Sequence, residues 1–323
     1  MLVVEGKWVW DSWYCTDDAG LWHAFFLQAD RSLVDPELRH WNVTHGHATS
    51  HNLVDWTYHG TVFRPSAGPA FDDLTVWTGS VVRDDNGHWT LFYTGTSRRE
   101  DGKVQRIGRA TSTDLVNWTR QGLAVERVGE NAELYEDFVP SRWKDCSLRD
   151  PWVIRDPEGP GWLMYFTARS PLPDDTNASG AIGLAHSDDL KSWRLLPPAF
   201  VGGFGEIEVP QVFEREGRWY CTFCTTARYW SDAYKASYPG APVSGIHYLV
   251  ANGPRGPWLI AEGHFLDGNS HTVRYAPRVV THEGKDYVLA FNEGPPGEFS
   301  GTICDPIRLE RTRNGRLQIS APQ

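Results

Sequence analysis

The chain of 323 residues has 31 basic and 41 acidic side chains, a formal net charge of −10, and 40% hydrophobic residues. Phosphate backbones are bound by clusters of Lys and Arg, so this charge argues against a nucleic-acid partner. No apolar run approaches the roughly 18 residues of a membrane-spanning helix. Met1–Lys7 lacks the basic and apolar regions of a signal peptide, and the five cysteines are scattered. We therefore expect no membrane partner and a cytoplasmic location, or a secreted one if a leader has been removed.

A pair of predicted strands joined by a polar turn occurs five times along the chain. The second strand of each pair is rich in aromatic and β-branched residues. It follows a turn of the hairpin type, and the glycines that end these turns are Gly20, Gly87, Gly161, Gly217 and Gly284. Five such units predict an all-β fold, a single five-bladed β-propeller that spans residues 1–323.

A second repeat divides the chain in the same way. Three segments have similar sequences, namely Gly46–Trp56, Gly108–Trp118 and Gly183–Trp193. Each predicts a third strand, then a tight turn, then a Trp at the start of an outer strand. Because the Trp recurs at a fixed place, we expect it to pack between blades. The predicted blades are about Trp8–Val62, Thr75–Leu123, Asp145–Leu196, Glu206–Ala261 and Thr272–Ile319.

Cys221 and Cys224 have a spacing that also occurs in metal and redox sites. Both lie in a predicted strand, where residues three apart point to opposite faces and cannot bind one metal ion together. We therefore expect both thiols in the core. No other ligand cluster is visible in the sequence, so we expect no metal site and no cofactor.

The longest segments without a strand pattern are 124–144, 171–179 and 229–242. Long loops in compact domains are often binding elements. The last segment carries Tyr229, Trp230 and Tyr234, aromatic residues with no counterpart in the repeats. We expect this segment to lie over a pocket.

Carboxylates occupy equivalent positions on the first strand of three blades. Counting back nine residues from the turn glycine gives Asp11, Thr78, Glu208 and Tyr275, and counting back eleven across the longer third turn gives Asp150. Equivalent points on innermost strands surround the axis, so Asp11, Asp150 and Glu208 should converge at one mouth of the propeller. Glycosidic cleavage with retention needs such a set, with one carboxylate as nucleophile and one carboxylic acid that protonates the leaving oxygen.

These residues resemble the glycoside hydrolase families 32 and 68. Trp10-Asp11-Ser12-Trp13 is similar to the nucleophile motif of the family 68 levansucrases and inulosucrases, and Arg149-Asp150-Pro151 resembles the Arg-Asp-Pro motif of both families. Trp77–Ser80 looks like their Trp-Ser-Gly-Ser segment, with Thr78 in place of Ser. Glu206-Ile207-Glu208 resembles the acidic pair of family 68, although Val209 stands where that family usually has Arg. Gly46–Trp56 is more similar to family 32 invertases.

The resemblance implies roles for these residues. Asp11 would be the nucleophile, Glu208 the acid/base, and Asp150 the residue that holds fructosyl hydroxyls, with its geometry fixed by Arg149. The substrate-binding set would be Trp10 and Trp77 as pocket walls, with Thr78, Arg149, Glu206 and Arg228. A hydrogen bond from Thr78 would keep Asp11 ionised, because a donor to the charged form lowers a carboxylate's pKa. Glu206 would raise the pKa of Glu208 or bind sugar hydroxyls.

The resemblance implies a retaining hydrolase or fructosyltransferase that acts on β-fructofuranosides, such as sucrose or short fructo-oligosaccharides, through a covalent fructosyl-enzyme. The partner would be a small carbohydrate, and from the chain length we expect no C-terminal β-sandwich of the family 32 type. A first alternative is a family 43-like α-L-arabinofuranosidase or β-xylosidase, which shares the propeller and an Asp, Asp, Glu set. A second alternative is a sugar-binding propeller without turnover. The oligomeric state is left open by the sequence.

Overall fold

A computed structural model describes residues 1–140, 142–269, 274–294 and 298–320. Its strands form five antiparallel sheets, one for each blade of a β-propeller, so the predicted fold is confirmed. Blade one contains β1 (Lys7–Thr16), β2 (Trp22–Asp30), β3 (Thr44–Ser50) and β4 (Thr57–Phe63). Blade two contains β5 (Thr75–Arg83), β6 (Trp89–Thr96), β7 (Gln105–Ser112) and β8 (Thr119–Val125).

The remaining blades follow the same order. Blade three contains β9 (Leu148–Arg155), β10 (Trp162–Arg169), β11 (Gly180–Ser187) and β12 (Arg194–Val201). Blade four contains β13 (Glu208–Arg215), β14 (Arg218–Thr225), β15 (Ser244–Ala251) and β16 (Leu259–Asn269), whose end lies beyond the predicted Ala261. Blade five contains β17 (Arg274–His282), β18 (Lys285–Asn292), β19 (Thr302–Ile303), β20 (Ile307–Arg311) and β21 (Leu317–Ile319). Its predicted start, Thr272, lies outside the described residues.

Helical structure in the described ranges is confined to short connections. One α-helix, α1 (Asp232–Ser237), follows β14, and short 3₁₀ segments are formed by Arg31–Leu33, Pro36–Trp41, Arg98–Glu100, Ala132–Leu134, Thr176–Ala178 and Ala227–Tyr229. Within those ranges no helix has the length and apolar character needed to cross a membrane.

The first strands of the five blades surround the axis, because each inner strand contacts the inner strands of the blades on either side. The ring closes where the chain start meets blade five. Leu2 forms an antiparallel bridge with Ile303, and the Val9 N–H donates to the Gly301 carbonyl at 2.9 Å. Blade five is therefore hydrogen-bonded both to the residues before blade one and to the first strand of blade one.

The second strands of blades one, two and three are buried over almost their whole length. All residues of β6 and β10 are buried, because neighbouring blades cover both faces of the sheet. Burying a side chain such as Phe92 or Phe166 contributes about 1.5–3 kcal/mol. The recurring Trp side chains fill the space between blades, since Trp118 contacts Phe25 of blade one and Trp193 contacts Phe92 of blade two. The predicted packing role is confirmed, and Cys221 and Cys224 are core residues as expected.

Every inner strand has a β-bulge near the same mouth of the propeller. In β1, Trp10 pairs with Leu27 and Ser12 with Phe26, so Asp11 is the extra residue. The other four inner strands also carry one extra residue: Thr78 alone is unpaired in β5, whereas in β9, β13 and β17 two residues lie opposite one. The residues equivalent to Asp11 are Thr78, Asp150, Val209 and Ala276. Bulges re-aim side chains, and here Asp11, Thr78, Asp150 and Val209 line the mouth.

The predicted equivalence is therefore wrong by one residue for Glu208 and Tyr275, which precede the bulge as Arg149 does. The cause is turn length. Blades four and five have two-residue hairpins, Glu216-Gly217 and Glu283-Gly284, with positive φ at both residues, whereas the turns after β1 and β5 are longer. Side chains from both positions of the bulge reach the mouth, so the predicted convergence holds despite the shift.

Candidate active site

A pocket of about 360 Å³ opens at the mouth where the inner strands begin. It is lined by every site residue predicted from the sequence, namely Trp10, Asp11, Trp77, Thr78, Arg149, Asp150, Glu206, Glu208 and Arg228. Four of the five inner strands contribute at least one of these side chains, and β17 contributes Tyr275. The pocket is therefore a product of the whole ring rather than of one blade.

Asp11 lies on the bulge of β1, where its Oδ2 accepts a hydrogen bond from Thr78 Oγ1 on β5. The pKa of Asp11 is raised to about 7, with burial as the largest cause and the nearby Asp150 carboxylate as the second, whereas the Thr78 hydrogen bond lowers it. The predicted hydrogen bond is present. The hydrogen bond favours the ionised form of Asp11, and burial, the larger effect, opposes it.

Glu208 is the first residue of β13 and is held at both carboxylate oxygens. Arg149 Nη2 donates to Oε1 at 2.9 Å, and the Tyr275 hydroxyl donates to Oε2. Burial raises the pKa of Glu208, Arg149 opposes this, and the negative charge of Glu206 adds to the rise. The net direction is upward, since Arg149 divides its charge among three carboxylates and compensates each only in part. This is the electrostatic effect predicted for Glu206.

Glu206 lies just before β13 and is buried between two arginines. Its Oε2 accepts from Arg149 Nη2 at 2.6 Å, and its Oε1 accepts from Arg169. Burial opposes ionisation, but the two cations outweigh it and lower the pKa of Glu206. Arg169 is anchored in turn by Asp145 Oδ1 at 2.5 Å. Because both oxygens of Glu206 are engaged, the structure favours its electrostatic role over direct binding of sugar hydroxyls.

Asp150 occupies the bulge of β9 with φ 57°, a left-handed conformation that Asp adopts more readily than most residues. Its Oδ2 accepts from Thr167 Oγ1 at 2.9 Å and from the Val209 N–H at 3.2 Å, and Arg149 Nε lies 3.4 Å away. Burial raises the pKa of Asp150, while Arg149 and the hydrogen bonds lower it, with a net rise. Asp150 is thus tied to the bulge of the blade that carries Glu208.

The walls of the pocket are aromatic. Trp10 is buried and meets His40 edge to face at 6.1 Å, and Trp77 Nε1 donates to the His40 carbonyl at 2.9 Å. Both Trp residues line the pocket as expected. On the opposite wall the Arg228 guanidinium lies 4.5 Å from the centre of the Tyr229 ring.

The prediction that segment 229–242 covers the pocket is right only at its start, where Tyr229 lines it. Trp230 is fully buried and packs against Phe204 and Tyr234, so these aromatic residues belong to the core. An aromatic residue without a repeat equivalent can fill a gap between a loop and a blade as readily as it can face a ligand.

Sequence reasoning did not single out Tyr275, Gln105 and Asp145, which line the pocket. It also missed Arg169, which lies behind the pocket wall and pairs with Glu206. Tyr275 carried a signal, because it appeared in the repeat count as the fifth equivalent position. Gln105 binds Arg149 Nη1 at 3.4 Å and Asp145 Oδ2 at 3.0 Å. Those contacts join three different elements, and nothing in the local sequence pattern indicates them.

A five-bladed propeller with three carboxylates, a shared arginine and aromatic walls at one mouth has the architecture of a glycoside hydrolase. Residues 5–252 match the N-terminal domain of glycosyl hydrolases family 32. The chain therefore belongs to glycosyl hydrolases family 32, and the predicted resemblance to families 32 and 68 is confirmed. The match also decides against the family 43-like alternative.

Similar proteins include the sucrose-6-phosphate hydrolases of Bacillus subtilis strain 168 and of Escherichia coli. The Bacillus subtilis protein is 29% identical over 210 residues, which cover 63% of this chain and 36% of the relative. The Escherichia coli protein is 27% identical over 280 residues, which cover 84% of this chain and 51% of the relative. The chain thus spans about a third to a half of the length of these relatives. The inulosucrase of Halalkalicoccus jeotgali, solved with kestose bound, has the same fold, with a TM-score of 0.81 and 22% identity over 99% of this chain and 90% of that one.

Proposed function

We propose that the chain is a retaining glycoside hydrolase that acts on β-fructofuranosides through a covalent fructosyl-enzyme. The observation that carries the proposal is the meeting of Asp11, Asp150 and Glu208 in one pocket, each with a different set of hydrogen-bond partners. Retention requires one carboxylate that attacks and one acid that first gives and then takes a proton. The different surroundings of Asp11 and Glu208 suit this division of roles.

Asp11 is the nucleophile in this proposal. Its ionised carboxylate attacks the anomeric carbon, a C–O ester bond forms, and the bond to the leaving oxygen breaks. The hydrogen bond from Thr78 engages Oδ2 and limits rotation of the carboxylate. Burial raises the pKa of Asp11 to about 7, so the free enzyme gains its reactive form as the pH rises through that value.

Glu208 is the acid/base. Burial and the charge of Glu206 favour its protonated form, which gives its proton to the leaving oxygen. The resulting carboxylate is then stabilised by Arg149 and Tyr275 until it removes a proton from the water that attacks the ester. Burial and Glu206 favour the protonated form of Glu208, whereas Arg149 and Tyr275 favour its carboxylate. This balance suits a group that must hold and release a proton in each cycle.

Asp150 binds fructosyl hydroxyls and offsets the positive charge of the oxocarbenium-like transition state. Its Oδ2 is held by Thr167 and the Val209 N–H, so the carboxylate is oriented before substrate arrives. Such preorganisation avoids reorganisation at the moment of reaction.

The substrate class is supported by the relatives, which are named sucrose-6-phosphate hydrolase, raffinose invertase and levanbiose-producing levanase. All of these names denote cleavage of fructosides. Fructosyl transfer would use the same residues, because only the acceptor in the second step differs. The structural likeness to an inulosucrase supports the fold alone, so hydrolysis of sucrose or of a short fructo-oligosaccharide is the leading form of the proposal.

The test is sugar release from sucrose, kestose, inulin-type and levan-type oligosaccharides, with nitrophenyl arabinofuranoside and xyloside as pentose controls. Wild type should release fructose or form transfer products, and Asp11→Asn should lose both. Asp188→Asn is the matched control, because that carboxylate is exposed on an outer turn and should leave activity unchanged. Sugar binding without turnover in wild type, or equal activity in Asp11→Asn, would contradict the proposal.

A further inference from the structure

Arg278 is a buried cation that the mechanism above does not use. It lies in the middle of β17, three residues after Tyr275, which lines the catalytic mouth, and one before Val279, which lines a depression at the opposite mouth. Its exposed fraction is 1%. An arginine in this position is costly, because a buried charge must be compensated by partners or by nearby opposite charges.

The hydrogen bonds of Arg278 go to the bulge beside Glu208. Nη1 donates to the carbonyls of Val209 at 3.0 Å and Pro210 at 3.2 Å, and the guanidinium lies 5.1 Å from the centre of the Trp152 ring. Nε and Nη2 are buried and have no hydrogen-bond partner among the described residues. The cation therefore fixes a backbone bulge with one nitrogen and leaves its remaining charge uncompensated by direct contact.

Arg278 is surrounded by titratable side chains from three other strands. The titratable side chains within its electrostatic reach are Asp11 and Tyr14 on β1, Asp150 on β9, and Cys221 and Cys224 on β14. Burial raises the pKa values of the tyrosine and of both thiols, so these three are neutral. The anionic partners of Arg278 are thus Asp11 and Asp150, and the cation lowers the pKa of each.

We propose that Arg278 is a positioning residue of the fructosidase site, which favours the ionised nucleophile Asp11 from behind the carboxylate cluster while its Nη1 hydrogen bonds hold the bulge next to Glu208. The proposal rests on the function proposed above. It separates two contributions of one side chain: the charge acts on Asp11, and the hydrogen bonds act on the placement of Glu208.

Two variants separate these contributions. Arg278→Lys keeps a cation and a donor, whereas Arg278→Gln keeps a donor and removes the charge; Arg278→Met replaces the neutral variant if Arg278→Gln does not fold. The readout is the pH dependence of kcat/KM with sucrose or the best fructoside. Arg215→Met is the matched control, since that arginine pairs with Asp286 away from the pocket and should leave the profile unchanged.

Loss of the cation raises the pKa of Asp11, so the acidic limb of kcat/KM moves to higher pH. We expect a shift of about one pH unit for Arg278→Gln, which corresponds to roughly tenfold in rate at pH values below the limb. Arg278→Lys should move the limb much less. A uniform loss of rate with an unmoved limb, or equal shifts in both variants, would overturn the proposal.

A second readout does not need turnover. Carbon-13 NMR titration of the Asp carboxyl groups, with the Asp11 signal assigned from its absence in Asp11→Asn, should show the same upward shift in Arg278→Gln. If wild type released no sugar, the proposed function would fail, and this titration would still decide whether Arg278 controls the ionisation of Asp11. An unmoved Asp11 titration would refute the role of Arg278.

Discussion

The hydrogen bond between Thr78 and Asp11 allows a quantitative prediction for Thr78→Val. Removing the hydroxyl leaves the methyl groups to fill the site and deletes one donor to the carboxylate. A hydrogen bond to a charged group is worth about 1.5–3 kcal/mol, and one pKa unit corresponds to about 1.4 kcal/mol. The pKa of Asp11, about 7 in the intact site, should therefore rise by about 1 to 2 units.

The assay is kcat/KM for fructose release from pH 4 to 10. Below the acidic limb Thr78→Val should be about tenfold to a hundredfold slower than wild type, because each unit of pKa lowers the ionised fraction of Asp11 tenfold. At pH values above the shifted limb the two enzymes should converge. Thr78→Ser, which keeps the hydroxyl, should resemble wild type. A limb at the same pH in Thr78→Val and wild type would refute the reasoning.

Three further predictions concern other parts of the molecule. Tyr275→Phe removes a donor that favours ionised Glu208, so the basic limb of kcat should move to higher pH and kcat should fall about tenfold; an unchanged pH–rate profile would contradict this. Phe92→Ala opens a cavity beside Trp193 and should lower the free energy of unfolding by about 3–5 kcal/mol in denaturant titrations, with kcat retained by the folded fraction. His47 is buried and neutral, with burial lowering its pKa to about 3, so the unfolded chain binds more protons below about 6.5 and stability is lost as the pH falls from there. The melting temperature of His47→Gln should fall less steeply than that of wild type between pH 6.5 and 4.5, and parallel slopes would exclude the contribution of His47.

The propeller was predictable because its signal is repeated. The glycine-ended turns and the Trp that opens the outer strands recur in successive blades, so each blade supported the interpretation of the others. The repeat also indicated the correct region of each inner strand. It could not settle the register of blades four and five, because the two-residue turns at Glu216-Gly217 and Glu283-Gly284 shift Glu208 and Tyr275 by one position relative to Asp11.

The parts of the site that were missed depend on contacts between blades. Arg169 pairs with Glu206 across the boundary of blades three and four, and Arg278 reaches the bulge of blade four from blade five. Such partners are chosen by the three-dimensional arrangement of the ring and leave no periodic trace in the sequence. The prediction for Trp230 failed for the same reason, because this side chain packs against Phe204, a contact that the sequence pattern does not show.

The covalent intermediate at Asp11 is the central claim, and it can be observed directly. Glu208→Gln would be incubated with fructosyl fluoride, whose leaving group needs no proton from an acid, quenched in acid and analysed by intact and peptide mass spectrometry. We expect one added fructosyl residue on the peptide that contains Asp11, because the variant forms the ester but lacks the base that hydrolyses it. The same treatment of the double variant with Asp11→Asn should give no adduct. Release of α-configured fructose from wild type as the first product, with no adduct in Glu208→Gln, would contradict the account.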